Sequence, residues 1–564
     1  MINALSVTLN LITCVTIFKC EDSPSTFKNN VRRMSEDGIF HGPEPLPLAN
    51  MSLGRFLMQR LQQHGDREYQ IHAVTGERTT FADVLQRSTA LATELRVRGV
   101  RPGQVVGVAS ENRLEFCLPV LAASYLGATC ATFNPTYTLR EMEHALNISK
   151  PCVVFCSPVC ERSVCELARR LPFVREVVVF GPSSALGRPL LSDLVRPGAD
   201  RLGAAEDVGP DEHVACVLCS SGTTGLPKGV MLTARNILAT MTNLSDPRFA
   251  IINHNETHLG VLPFFHAYAF MCLLASLCNG FRVVVLPKFE EELFLRSIQQ
   301  YKVTLLTLVP TLLVFLGKSP RVSHYDLSSL RMVWCGAAPL REEVQRQVVR
   351  RLGIAGVQQG YGLTETTLAV SHTPVGHDKP GAAGKLAPGI SAKVLDLKTG
   401  QPLGVDQEGE LCFKGALIMK GYLGDTGATA ATLDPDGFLH TGDVGRIDRD
   451  GYVYVVDRLK ELIKYKGFQV PPAELEALLL THPAVQDAAV VGVPDSESGE
   501  LPLAFVVRQP GASVSDQDLI AFIAGQVSPQ KRLHGGVKFV DAIPKNASGK
   551  ILRQQLRSIL KSKL

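Results

Sequence analysis

The sequence predicts an α/β protein: a large N-terminal domain of doubly wound α/β layers with a β subdomain, then a small α+β C-terminal domain. Three observations carry this. At 564 residues the chain is too long for one compact core, so two or more domains are expected. From about Met51 to Gly376 short apolar runs alternate with amphipathic ones, the texture of parallel strands and covering helices. From Gly381 to Val456 glycine punctuates β-type sequence, and mixed α and β follows.

The elements fall in order. Strands are expected at Val105–Ala109, Thr129–Phe133, Val153–Cys156, Val177–Phe180, Val214–Cys219, Arg282–Leu286, Thr304–Leu308 and Met332–Cys335. Helices are expected at Leu114–Tyr125, Arg140–Asn147, Glu291–Tyr301, Arg341–Leu352 and Pro471–Leu480, with Thr233 opening another ahead of Arg235–Met241. The domain boundary is set at 456/457, giving 1–33 as an extension, 34–456 as the large domain and 457–564 as the small one. In such layers a ligand sits at the carboxyl ends of the strands.

Composition excludes several classes. Charged residues at 20% and hydrophobic ones at 45% describe an ordinary globular protein. A net charge of +4 over this length, with no basic run carrying aromatics, argues against nucleic acid as a partner. Fourteen cysteines in so long a chain are not a small disulfide framework. Cys216 and Cys219 form a CxxC, but on a strand they face opposite sides, so metal or redox use is not expected. His254 and His258 lack a helix and a third ligand.

Residues Met1–Phe18 are apolar but short for a membrane span, and no positive charge precedes them. They make a poor signal peptide and at most a weak anchor, so membrane contact is expected only through this N-terminus.

The chemistry is concentrated in loops. Ser220-Ser221-Gly222-Thr223-Thr224-Gly225-Leu226-Pro227-Lys228-Gly229 combines glycines, hydroxyls and a lysine, the groups that wrap a polyphosphate. It is not a P-loop: no glycine directly precedes Lys228, and Gly229 follows it. Gln359-Gly360-Tyr361-Gly362-Leu363-Thr364-Glu365 is a second such loop. There a tyrosine face suits a purine, a threonine hydrogen-bonds an α-phosphate, and a glutamate holds the Mg²⁺ that accompanies ATP. Asp443, in Thr441-Gly442-Asp443, can accept both hydroxyls of a ribose.

With these motifs in this order, the chain resembles the adenylate-forming enzymes, the superfamily of acyl-CoA synthetases, 4-coumarate-CoA ligases and beetle luciferases. The resemblance spans roughly Met34 to Leu564 and implies residue roles. Gly336-Ala337-Ala338-Pro339 matches the loop lining the adenine and acyl pocket. Asp457–Gln469 matches the hinge: Arg458 contacts ribose, Lys464 and Gln469 approach the adenylate, and Lys466-Gly467 border the CoA channel. Lys550, in Pro544-Lys545-Asn546-Ala547-Ser548-Gly549-Lys550, matches the adenylation lysine. His266 and Tyr268, in the aromatic segment Pro263–Phe270, match a gate and a wall of the acyl pocket, and Lys288 matches a contact to the CoA nucleotide.

The resemblance implies an ATP-dependent acid–CoA ligase. ATP, Mg²⁺ and CoA take part, and the small domain is mobile, rotating to exchange Lys550 for Lys464 between two half-reactions. The acid, fatty or aryl, stays open. The alternatives are a luciferase-type monooxygenase and a membrane fatty-acid carrier with residual ligase activity. Two departures stand out. Ala234 replaces a histidine common in relatives, and Leu368 follows Thr364-Glu365-Thr366-Thr367 where luciferases carry serine. Leucine suits an aliphatic chain. The terminal Ser562-Lys563-Leu564 matches a peroxisomal import signal, so the import receptor is the expected partner and the peroxisome the expected location.

Overall fold

The computed structural model describes residues 35, 37–196, 198–220, 227–249, 252–340, 342–466, 468–546 and 549–561. The N-terminal extension, the centre of the first glycine-rich loop (221–226), Gly467 and the terminal tripeptide lie outside the described residues. Among the described residues no helix is long and apolar enough to cross a membrane.

Two large sheets organise the N-terminal part. The first has seven strands. Its parallel middle runs Val214–Ser220, Thr129–Phe133, Val105–Ala109, Val153–Cys156 and Glu176–Val179, with Lys228–Thr233 and Gly421–Tyr422 added antiparallel at one edge. The second has nine. Val357–Tyr361, Met332–Cys335, Leu305–Leu308, Thr257–Gly260, Arg282–Val285 and Glu68–His72 are parallel, and the flanking strands are antiparallel. Several of these parallel strands, such as Val153–Cys156, Glu176–Val179, Arg282–Val285 and Leu305–Leu308, are rich in Val and Leu because both faces are covered.

Helices between and around the sheets complete one large core. The helix Ala267–Asn279 is apolar on every side and buries Ala269 through Cys278, as a helix enclosed by neighbours must. Thr233 is an N-cap, exchanging hydrogen bonds with Asn236 ahead of the helix Ala234–Leu244. Cys216 faces the main core and Cys219 packs on the opposite side, as strand alternation requires.

A five-stranded antiparallel sheet follows, with Ser391–Leu395, Gly409–Lys414, Leu439–Ile447 and Val453–Arg458 as its main strands. The last part is α+β. A long hairpin, Val485–Asp495 with Gly499–Arg508, carries the helices Pro472–Thr481, Asp516–Ala524 and Arg553–Lys561.

Two expectations change. The run Ser220–Gly229 is not loop throughout: Ser220 ends one strand, and Lys228 opens its antiparallel partner in direct register. The alternation Val230, Met231, Leu232 has strand period, and Gly229 lets that strand pass Ile148, whose Cγ2 would lie 2.6 Å from a Cβ there. The stretch Leu114–Tyr125 is two elements, a 3₁₀ turn at Leu114–Phe116 and a helix from Cys117.

Candidate active site

The described ends of the first glycine-rich string, Ser220 and Lys228, meet the second string because both strings follow the carboxyl end of a strand. Val214–Ser220 delivers the first loop, Met332–Cys335 delivers Gly336, and Val357–Tyr361 delivers Gly362, Thr364 and Glu365. These ends border a single cavity of about 540 Å³.

Of the residues singled out from sequence, Ser220, Lys228, His266, Tyr268, Gly336, Ala337, Gln359, Gly360, Gly362, Thr364, Glu365, Leu368, Arg458 and Lys550 line this cavity. Tyr361 and Asp443 are not in the lining but touch each other, Tyr361 Oη donating to Asp443 Oδ2 at 2.7 Å. Arg458 Nε lies 2.8 Å from Asp443 Oδ1, so both carboxylate oxygens are engaged. Burial raises the Asp443 carboxyl, with Arg458 and Tyr361 opposing.

Glu365 accepts from Tyr422 Oη at 3.0 Å, and Lys228 Nζ stands 4.8 Å over the Tyr422 ring. Tyr422 thus joins the two loops. No local pattern marks it, because it belongs to a two-residue edge strand far along the chain. Burial and then Arg458 lower the Lys550 ammonium, while Asp443 pulls it back up. Its backbone N–H donates to Asn546 Oδ1 at 2.9 Å.

A second set of side chains is aromatic and amide-bearing. His266 is the N-cap residue of the buried helix Ala267–Asn279, and burial pushes its imidazole down to about 4, so it stays neutral. Tyr268 Oη donates to the carbonyl of Trp334, whose indole N–H donates to Gln358. His372 packs on Phe249 with ring centres 4.3 Å apart, and it too is pushed down to about 4 by burial. Trp334, Gln358, Phe249 and His372 were not found from sequence. Each lies outside the glycine-rich strings: Trp334, Gln358 and His372 enter through sheet register, and Phe249 enters from the turn after the helix Ala234–Leu244.

Other expected residues stand apart from the cavity lining. Ala338 is exposed. Lys464 and Gln469 pair on the exposed face of the hairpin Ile463–Tyr465 and Phe468–Val470, and Lys466 is exposed at its turn. Lys288 is 77% exposed and pairs with Glu290 at 2.7 Å.

The cavity suits a polar ligand. Ser220 Oγ and His266 Nε2 are buried with no hydrogen-bond partner among the described residues, as happens where a ligand supplies the partner. Glu365 offers a hard carboxylate oxygen beside Lys228 and Thr364, which fits Mg²⁺ carried on a polyphosphate. Ala337 at φ 71° and Thr367 at φ 62° hold left-handed backbone at the cavity's edge, the kind of strain that collects at functional sites.

The fold is that of the adenylate-forming enzymes. The chain belongs to the AMP-binding enzyme family, whose model matches residues 57–423, and the model of the AMP-binding enzyme C-terminal domain matches 474–550. It is 42% identical over 538 residues to luciferin 4-monooxygenase of Nipponoluciola cruciata, covering 93% of this chain and 98% of that protein. It is 40% identical over 526 residues to peroxisomal OPC-8:0-CoA ligase 1 of Arabidopsis thaliana, covering 92% and 95%. The crystal structure of ATP-bound MatB from Rhodopseudomonas palustris superposes with a TM-score of 0.83 at 30% identity, over 91% of this chain and all of that one.

Proposed function

We propose that this chain is an ATP-dependent carboxylic acid–CoA ligase acting on a fatty or aryl acid. The observation that carries the reading is that Lys228, Glu365, Arg458 and Lys550 face the same cavity as His266, Tyr268 and Leu368.

A carboxylate resists attack because it would have to expel oxide. In the first half-reaction its oxygen bonds to the α-phosphorus of ATP and the bond to pyrophosphate breaks. Lys228 and Lys550 offset charge on the phosphoryl oxygens, Thr364 donates to the α-phosphate, and Asp443 with Arg458 receives the ribose. Glu365 would hold the Mg²⁺ that accompanies ATP, which would add positive charge at the phosphates. Neutral His266 donates or accepts near the carboxylate without adding charge. In the second half-reaction the sulfur of CoA attacks the acyl carbon, its proton is lost, and AMP leaves.

Residues 34–456 form the large domain in this reading and 457–564 the small one. Its rotation brings Lys464 and Gln469 to the adenylate, with Lys288, Lys466 and Gly467 bordering CoA. Lys550 in the cavity lining, with Lys464 exposed outside it, agrees with the first of the two arrangements. The tail Ser562-Lys563-Leu564 and the peroxisomal relative support a peroxisomal location, tested by imaging an N-terminally tagged protein with and without the tail.

The test is pyrophosphate release across a panel of fatty, aryl and phenylpropanoid acids, with and without CoA. The expected result is acid-dependent pyrophosphate in both cases and an acyl-CoA only with CoA. Pyrophosphate release that CoA never converts to thioester overturns the ligase reading. A luciferase activity is the second reading, favoured by the identity to luciferin 4-monooxygenase. Leu368, without the hydroxyl expected of a light emitter, weighs against it, and light from luciferin, ATP and oxygen decides.

A further inference from the structure

We propose that Glu410, Cys412 and His440 form a binding site for a thiophilic divalent cation such as Zn²⁺, at the rim of the nucleotide cavity and separate from any Mg²⁺ at Glu365. Strand geometry puts the three together. Glu410 and Cys412 are two apart on the strand Gly409–Lys414, with a bulge between them, and His440 is the cross-strand partner of Cys412.

The donor atoms converge. His440 Nδ1 lies 3.0 Å from Glu410 Oε2 and 3.6 Å from Cys412 Sγ, and the three ligand atoms all fall within 4.8 Å of one another. Tetrahedral zinc, with bonds of about 2.0 Å to nitrogen and about 2.3 Å to sulfur, separates those two atoms by about 3.5 Å. Thiolate, imidazole and carboxylate together select Zn²⁺ or Co²⁺ over Mg²⁺.

A carboxylate behind the imidazole is the second observation. Asp434 Oδ2 stands 3.7 Å from His440 Nε2, on the side away from Cys412 and Glu410. Asp434 is itself held by Lys393 Nζ and the Phe438 N–H, each at 2.7 Å. His440 Nδ1 contacts Glu410 Oε2, and a carboxylate behind the far nitrogen favours the proton there once an ion takes Nδ1. Lys393 is thereby paired. The other oxygen of Glu410 accepts the Gly442 N–H at 3.0 Å, so Oε2, the oxygen beside His440 Nδ1, is the one that would meet the ion. Glu410 and His440 line the cavity and Cys412 is fully buried, so a fourth position opens toward the cavity for water or a ligand.

The experiment is titration of the metal-stripped full chain with Co²⁺, read by the near-ultraviolet thiolate-to-Co²⁺ charge-transfer absorption. One equivalent should raise the band, Zn²⁺ should abolish it, and excess Mg²⁺ should leave it. Cys412→Ser should lose the band while keeping the wild-type circular dichroism and acid-dependent pyrophosphate release. Asp434→Asn should weaken Co²⁺ binding about 10–100-fold. Should Cys412→Ser fail to fold, His440→Gln must lose the band instead. A Co²⁺ complex without the thiolate band, a band that survives loss of Cys412 or His440, or unchanged affinity in Asp434→Asn overturns the site. None of these outcomes depends on whether the chain ligates CoA.

Discussion

Burial and then Arg458 disfavour the charge of Lys550, and Asp443 favours it. In the proposed reaction this ammonium acts on charge that develops at the phosphate. Lys550→Ala is expected to slow pyrophosphate release by about 10²–10³-fold, the usual cost of losing one donor aimed at transition-state charge. Thioester formation from supplied acyl-AMP should be spared, and equal loss in both steps contradicts the assignment. Lys464 has the opposite setting. It is exposed, and its backbone N–H is anchored by Glu500 Oε2 at 2.8 Å. Lys464→Ala should leave adenylate formation intact and let acyl-AMP accumulate on the enzyme, measured by quenching single turnovers. Collapse of ATP–pyrophosphate exchange in this variant would refute the rotation.

At the scale of the element, the link from strand Val357–Tyr361 to the 3₁₀ turn Thr364–Thr366 depends on Gly362. A Cβ there would lie 1.6 Å from the carbonyl oxygen of Leu368, a backbone atom that cannot step aside alone. Thr366 Oγ1 ties the same turn together through Leu363 and Leu368. Gly362→Ala should therefore displace Thr364 and Glu365 together. The expected outcome is loss of ATP binding by calorimetry with the far-ultraviolet circular dichroism retained. Normal ATP affinity would show that the turn tolerates the shift.

Across the whole molecule, buried imidazoles make stability depend on pH. His258 in strand Thr257–Gly260 is fully buried, bonded through Nε2 to Thr307 Oγ1 at 2.8 Å, and burial pushes it from 6.5 down to about 4. Its folded value lies below its unfolded one. The unfolded chain therefore takes up the proton first as pH falls below 6.5, and stability is lost progressively toward pH 4. The shift corresponds to about 3 kcal/mol for this one residue. Urea midpoints should fall over that window, and His258→Gln should flatten the decline. A profile unchanged by the substitution would place the acid sensitivity elsewhere.

Local pattern determined much of this protein. The strands Val105–Ala109, Thr129–Phe133, Val153–Cys156 and Met332–Cys335 and the helix Glu291–Tyr301 form at the residues their periodicity marks, because a buried face must repeat with the backbone's own period. The strings around Ser220 and Gln359 stood out by their density of glycine and hydroxyl groups, and their expected phosphate role rested on the resemblance to the adenylate-forming enzymes rather than on density alone. Tertiary structure alone decided what faces these loops. Tyr422 reaches Glu365 across 57 positions, and Asp434 stands behind His440 while Cys412 pairs with it across a sheet. Such contacts are set by strand register and by the closing of separate layers on one another, and spacing along the chain does not encode either.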